Sequence, residues 1–273
     1  MNRLFVAYKP TDIGSNIFLS KLKRKYKTKK AGFTGTLDPF AKGVLIVGFG
    51  TYTKLFRFLN KTPKTYRATL WLGAKSDSLD TEMIEYVEHL DEFSKQKVLD
   101  CVKSLEGELE YEPPIFSAKR IDGKRAYDLA RAGKEFTLNK INSTIYETKL
   151  INYCHPFVTF EAMVSEGTYI RSLGRIVASR LGVEFGSLSA LERLSEGQFK
   201  YDDEKALDIK NSLNIPRNFY NGDSDNLKYG RVLALEDLEI QEDGYYWLEK
   251  DDSIAIINII NKQVKYELGR IQC

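Results

Sequence analysis

Two hydrophobic periods run through this chain. Tyr66, Ala68, Leu70 and Leu72 alternate with Arg67, Thr69 and Trp71, and Val158, Phe160, Ala162 and Val164 alternate in the same way. A period of two predicts strands with one buried face. Elsewhere the period is helical. Val98, Val102 and Leu105 recur on one face, with Gly107 as the expected stop. Ile170, Leu173, Val177 and Leu181 mark a second helix, with Thr168 as its expected N-cap and Arg171 in its first turn. Residues 14–30 predict a helix with a basic face, broken at Ala31-Gly32. Glu112-Pro113-Pro114 forces extended or turn geometry before a strand-like stretch, IFSAKR. Strands separated by helices without strict βαβ repetition predict an α+β fold rather than a doubly wound sheet.

The pattern changes after about residue 200. Residues 201–228 are polar and turn-rich, as in a linker. Short strand-like pieces follow, including YYWLEKDDSIAIINII with a turn at Asp251-Asp252. The expected division is a main domain over 1–205 and a small β-rich module over 225–273. A module of roughly fifty residues buries too little surface to be stable unless it docks on the main domain.

Composition narrows the class. With 273 residues, 42% hydrophobic and 29% charged, the chain is expected to fold as a soluble globular protein. No stretch is apolar for long enough to span a bilayer, and MNRLFVAYKP lacks the core and cleavage site of a signal peptide. Three scattered cysteines, Cys101, Cys154 and Cys273, fit a reducing cytoplasm. The two histidines, His89 and His155, are far apart, which argues against a histidine-rich metal site. The net charge of +3 says little, but its distribution says more: seven of the ten residues from Lys21 to Lys30 are Lys or Arg. Lys119, Arg120, Lys124, Arg125, Arg131 and Lys134 form a second basic group. Such clusters suit a polyanion such as nucleic acid, and equally suit a solvated helix face.

The candidate chemistry sits just after the first basic stretch, in Gly32-Phe33-Thr34-Gly35-Thr36-Leu37-Asp38-Pro39. Pro39 pushes Asp38 out of helical geometry, and Gly32, Gly35 and Gly43 allow tight turns or close approach to a ligand. A carboxylate on such a loop, beside a phosphate-binding patch, suggests chemistry done on a nucleic acid. Asp-Pro is also common in ordinary turns.

These residues carry a resemblance. GFTGTLDPFAKGVLIVGFGTYTKL is similar to the catalytic motif of the TruB family of tRNA pseudouridine synthases, close to GHTGxLDPxAxGxLxxxxGxATK. Lys64-Thr65-Tyr66-Arg67 with LWLGAKSDSLD resembles the family's KxYxxxxxLGxxTDTxD segment, and PPIFSAKRIDGKRAYDLARAG its PPxYSAxKxxGxxxYxxAR segment. Ser165 to Leu173 resembles CSxGTYIRxL, and SALERL, with Leu191 and Arg193, resembles LxRL. In the tail, LKYGRVLAL resembles the opening of a shortened RNA-binding PUA-type module.

The resemblance implies a mixed, mainly antiparallel central sheet with flanking helices. It also implies isomerisation of the T-loop uridine at tRNA position 55, flipped out of its loop. That reaction breaks the C1′–N1 bond, rotates the uracil and joins C1′ to C5. No atoms are gained or lost, so neither cofactor nor metal is required. Asp38 matches the aspartate that acts as nucleophile at C1′ or base at C2′. Arg171 matches the arginine that pairs with it, expected as a bidentate contact that keeps the carboxylate ionised. Taken alone, Arg171 reads as a surface helix residue. Tyr66 matches the tyrosine that stacks on the uracil, although its alternation with Leu70 and Leu72 also suits a core position. Tyr169 and Leu191 match pocket-lining residues, and Asp80 matches an acidic position to which no role is assigned. Phe33 stands where the family usually has a histidine inserted in the T loop, and Phe116 where it has a tyrosine. Lys23, Arg24, Lys27 and Lys30 are expected to contact the RNA backbone. The implied partner is the tRNA T stem-loop, met by a cytoplasmic monomer. The rival readings are an RNA-binding protein without catalysis, a synthase acting on another RNA, and a glycosidase, which would need a second carboxylate.

Overall fold

The structure, a computed structural model, describes every residue except Ala118, Asp122, Glu135 and Cys273, and gives only the backbone of Arg120, Lys124 and Arg125. The expected strand-like stretch at Ala118, part of the second basic group and the third cysteine therefore lie outside the described residues.

The strands are β1 (Arg3–Lys9), β2 (Ala31–Phe33), β3 (Lys42–Phe49), β4 (Lys64–Leu72), β5 (Ala74–Ser76), β6 (Ile84–Val87), β7 (Gly107–Tyr111), β8 (Arg120–Ile121), β9 (Lys124–Arg125), β10 (Ile141–Cys154), β11 (Phe157–Val164), β12 (Gly186–Glu196), β13 (Gly244–Lys250), β14 (Ser253–Ile260) and β15 (Gln263–Gln272). The helices are α1 (Ser15–Lys25), α2 (Lys95–Lys103), α3 (Ala126–Arg131), α4 (Ile170–Leu181), α5 (Ile209–Ser212) and α6 (Ser224–Tyr229). The central sheet has the order β1-β3-β12-β4-β11-β10-β7, with β2 added to β3. Its pairings are antiparallel except β12 with β3, where Glu192 meets Lys42 and Arg193 meets Gly43. It is the mixed, mainly antiparallel sheet of an α+β fold.

Burial explains the hydrophobic runs. β4 and β11 bury one face, and Ala68, Leu70, Leu72, Phe160 and Ala162 pack under Leu173, Val177 and Leu181 of α4 and Val98 and Val102 of α2. β1 and β3 read instead as continuous apolar runs because both their faces are covered. Phe5, Ala7, Leu45 and Val47 face this main core. Leu4, Val6, Val44 and Ile46 face Trp247, Ile254, Ile256 and Ile271 of the C-terminal sheet. That sheet, β13-β14-β15, turns at Asp251-Asp252 and keeps a core of its own with Leu227, Leu238, Leu248 and Ile257.

Local expectations are corrected at several ends. The basic helix stops at Lys25, and Lys27 adopts a left-handed φ of 51°, so residues 26–30 form a loop. α2 stops at Lys103, and Gly107, with φ 106°, opens β7 rather than ending the helix. Residues 115–117 form bends, not a strand. Thr168 does not cap α4: the N-cap is Tyr169, without a side-chain hydrogen bond, while Thr168 Oγ1 donates to Ser165 O at 2.9 Å. The polar stretch 201–228 holds α5 and the start of α6, and bridges both sheets through Ala206 on Phe5, Leu213 on Leu59 and Arg217 on Trp247.

Candidate active site

The loop between β2 and β3 carries Asp38, and its shape is held from several sides. Ser15 Oγ donates to Leu37 O at 2.9 Å and accepts from Leu37 N at 3.0 Å. Ala41 N donates to Asp38 O at 3.1 Å. Lys9, fully buried, donates to the carbonyls of Pro10, Ile13 and Pro39 at 2.8, 2.7 and 3.2 Å. Burial pushes the Lys9 ammonium down to about 8, although Asp38 and Asp12 act in the other direction. Gly43, at the end of the loop, has a φ of 118°, and a Cβ there would stand 2.2 Å from Arg193 O. Only glycine lets β3 approach β12 so closely.

The helical pattern alone left Arg171 as a surface residue; the structure buries it to 5% exposure. Its Nε meets Asp38 Oδ2 at 3.0 Å. The contact is not the expected bidentate fork, because the terminal nitrogens are engaged elsewhere. Nη1 donates to Ser78 O at 2.7 Å and Asp80 Oδ2 at 3.3 Å, and Nη2 to Phe116 O at 2.9 Å. Asp80 is itself buried, and its Oδ1 accepts from Ser78 Oγ at 2.5 Å and Glu82 N at 3.0 Å.

Asp38 keeps 37% of its side-chain surface accessible, and this surface opens onto a cavity of about 310 Å³. Its carboxyl is raised above the usual range, first by burial and then by Asp80, against the opposing charges of Arg171 and Lys9. The cation therefore offsets only part of the desolvation.

Tyr66, Tyr169, Arg171 and Leu191 line the same cavity as Asp38. Tyr66 is 8% exposed and belongs to the main core as well, so its two readings are compatible. Phe33 stands apart: it pairs with Val47 on β2, packs half-buried on the main core and is not among the cavity-lining residues. Lys23 and Arg24 occupy the last turn of α1, while Lys27 and Lys30 lie on the loop that follows. Lys25 is drawn aside by Glu204 at 2.6 Å. Under the loop, Arg193 donates to Val44 O and Gly35 O, each at 2.8 Å, and pairs with buried Glu196 at 2.9 Å. Sequence reasoning assigned no role to Lys9, Ser78, Ser117 or Asp80. Lys9 lies outside every quoted motif, whereas Ser78 and Asp80 lie in LWLGAKSDSLD and Ser117 in PPIFSAKR, so the motifs contained three of the four.

A buried cation holding a carboxylate at the mouth of a small cavity, with an aromatic wall, is a site for acid–base or nucleophilic chemistry on a flat, polar ligand. Residues 23–170 match the model of the TruB family pseudouridylate synthase N-terminal domain. The chain is 76% identical to tRNA pseudouridine synthase B of Sulfurimonas denitrificans over the full length of both. It is 48% identical to the protein of that name from Campylobacter jejuni, covering 100% of this chain and 99% of that one. Among solved structures, a Cbf5-Nop10-Gar1 complex contains a chain of similar fold, with a TM-score of 0.68 at 19% identity, covering 99% of this chain and 84% of the other. With more than half its length matched by the family model, and its full length by close relatives, the chain belongs to the TruB family of pseudouridylate synthases.

Proposed function

We propose that this protein isomerises uridine to pseudouridine at position 55, in the T loop of tRNA, with Asp38 as the reacting carboxylate. The observation that carries this reading is the contact of Asp38 Oδ2 with Arg171 Nε at 3.0 Å, in a cavity that Tyr66 also lines. Asp38 acts at the ribose, as nucleophile at C1′ or base at C2′, and either route releases N1 of the uracil. Arg171 orients the carboxylate and favours its ionised form. Tyr66 and Leu191 hold the freed base while it turns to present C5 to C1′, and the C5 proton then leaves. Confinement keeps the base near C1′ between bond breaking and bond making.

Lys23, Arg24, Lys27 and Lys30 would hold the RNA backbone, and none of them forms an ion pair among the described residues. Residues 1–205 act as the catalytic unit and 225–273 as an RNA-binding module. Tyr229 supports that module's role: it is 60% exposed, with the Lys228 and Arg231 cations 5.2 and 5.3 Å from its ring. The protein would work in the cytoplasm as a monomer. The test is incubation with unmodified tRNA followed by mapping of pseudouridine. Conversion confined to position 55 is expected, and no conversion, or conversion elsewhere only, overturns the reading.

A further inference from the structure

Among the described residues, four buried side-chain polar atoms lack a hydrogen-bond partner: Arg3 Nε, Thr51 Oγ1, Ser117 Oγ and Glu196 Oε1. Glu196 Oε1 is held electrostatically by Arg193 Nη2 at 2.9 Å. Of the other three, only Ser117 lines the cavity that holds Asp38. Ser117 is 3% exposed, so bulk water does not satisfy its hydroxyl. A buried hydroxyl without a partner costs stability, and one kept in the wall of the cavity that holds Asp38 points to a ligand.

The hydroxyl is also held in place. Phe116 O, one residue before it, accepts from Arg171 Nη2 at 2.9 Å, and Ser117 O accepts from Tyr127 N at 3.0 Å. The guanidinium that holds Asp38 through Nε thus also fixes the residue next to Ser117, and Ser117 and Asp38 line the same cavity. A carboxylate that acts at C1′ or C2′ must lie beside the glycosidic bond. Besides the ring oxygen O4′, a weaker acceptor, the oxygens flanking that bond are the ribose 2′-hydroxyl and uracil O2, and both accept hydrogen bonds.

We propose that Ser117 Oγ donates a hydrogen bond to one of these two oxygens of the bound uridine, making Ser117 a substrate-contacting residue. This inference rests on the function proposed above. The free protein carries the hydroxyl unsatisfied, and the correct nucleotide satisfies it.

The experiment uses the full chain with Asp38→Asn, so that bound RNA is not converted, alone and combined with Ser117→Ala. Affinity is measured for T stem-loop RNAs carrying uridine, 2′-deoxyuridine or 2-thiouridine at the target. Ser117→Ala should weaken binding of the uridine RNA about three- to tenfold, the worth of one neutral hydrogen bond. The loss should vanish for the one analogue that lacks the accepting oxygen. Melting of Ser117→Ala without RNA should be unchanged or raised, since an unsatisfied buried group has been removed. Unchanged affinity for the uridine RNA, an equal loss with both analogues, or a lowered melting temperature would overturn the inference. The wild-type protein is assayed on unmodified tRNA alongside. If it converts nothing, the functional reading fails; if it converts position 55 while Ser117→Ala binds normally, only the role of Ser117 fails.

Discussion

Asp80 and Asp38 share one guanidinium: Arg171 gives Nε to Asp38 at 3.0 Å and Nη1 to Asp80 at 3.3 Å. One carboxylate faces the cavity and the other is buried behind the arginine. The carbonyls of Ser78 and Phe116 complete the set of acceptors. On the function proposed above, Asp80 would act through Arg171, as a positioning residue.

This division predicts graded losses. Lysine at position 171 offers a single point charge and cannot serve four acceptors in a planar arrangement. Arg171→Lys should lower turnover on the order of a hundredfold, the scale of a misplaced reacting group. Asp80→Asn removes one charge-assisted contact and should lower kcat roughly ten- to a hundredfold with little change in KM. Single-turnover rates on unmodified tRNA check both, and wild-type rates for either variant refute the arrangement.

Asp38→Asn should abolish pseudouridine formation while tRNA binding persists. It should also stabilise the fold. The folded-state pKa of Asp38 is raised above the unfolded value of 3.8, so between those two values the native state holds more protons than the unfolded state. Stability conferred by the neutral carboxyl is thus lost as pH rises through that window. At neutral pH, Asp38→Asn should melt above wild type, and the gap should close below about pH 4. Melting curves across pH test the sign; an equal or lower melting temperature at pH 7 contradicts it.

Tyr66→Phe keeps the ring and the packing, so RNA binding and melting should hold while the reaction slows. Tyr66→Leu should lose affinity as well, since stacking on a base is worth about 1–3 kcal/mol. Equal wild-type rates for both variants would leave Tyr66 as a core residue only.

Replacing Lys23, Arg24, Lys27 and Lys30 with neutral residues should weaken tRNA binding and flatten its salt dependence. Each lost phosphate contact should reduce the slope of log affinity against log salt by roughly 0.7 to 0.9. Turnover at saturating tRNA should change much less, because the cavity is untouched. An unchanged slope would mean that the tRNA docks elsewhere.

Much of this molecule was legible along the chain. The alternation at residues 66–72 and 158–164 became β4 and β11, and the helical spacing at 98–105 and 170–181 became α2 and α4. These elements follow from local periodicity, because each strand or helix must bury one face of its own. The turn chemistry around Asp38 and the resemblance to the TruB family located the loop. Helix ends were less legible: Lys27 takes a left-handed φ that no residue type nearby demanded. The burial of Arg171 belonged to the tertiary structure alone. Its acceptors come from residues 38, 78, 80 and 116, so no window of sequence contains them together. The same holds for the two-faced burial of β1 and β3, which exists only because the C-terminal sheet docks behind them. Periodicity reports which face of an element is buried; packing decides which distant groups meet there, and with them the electrostatic surroundings of Asp38.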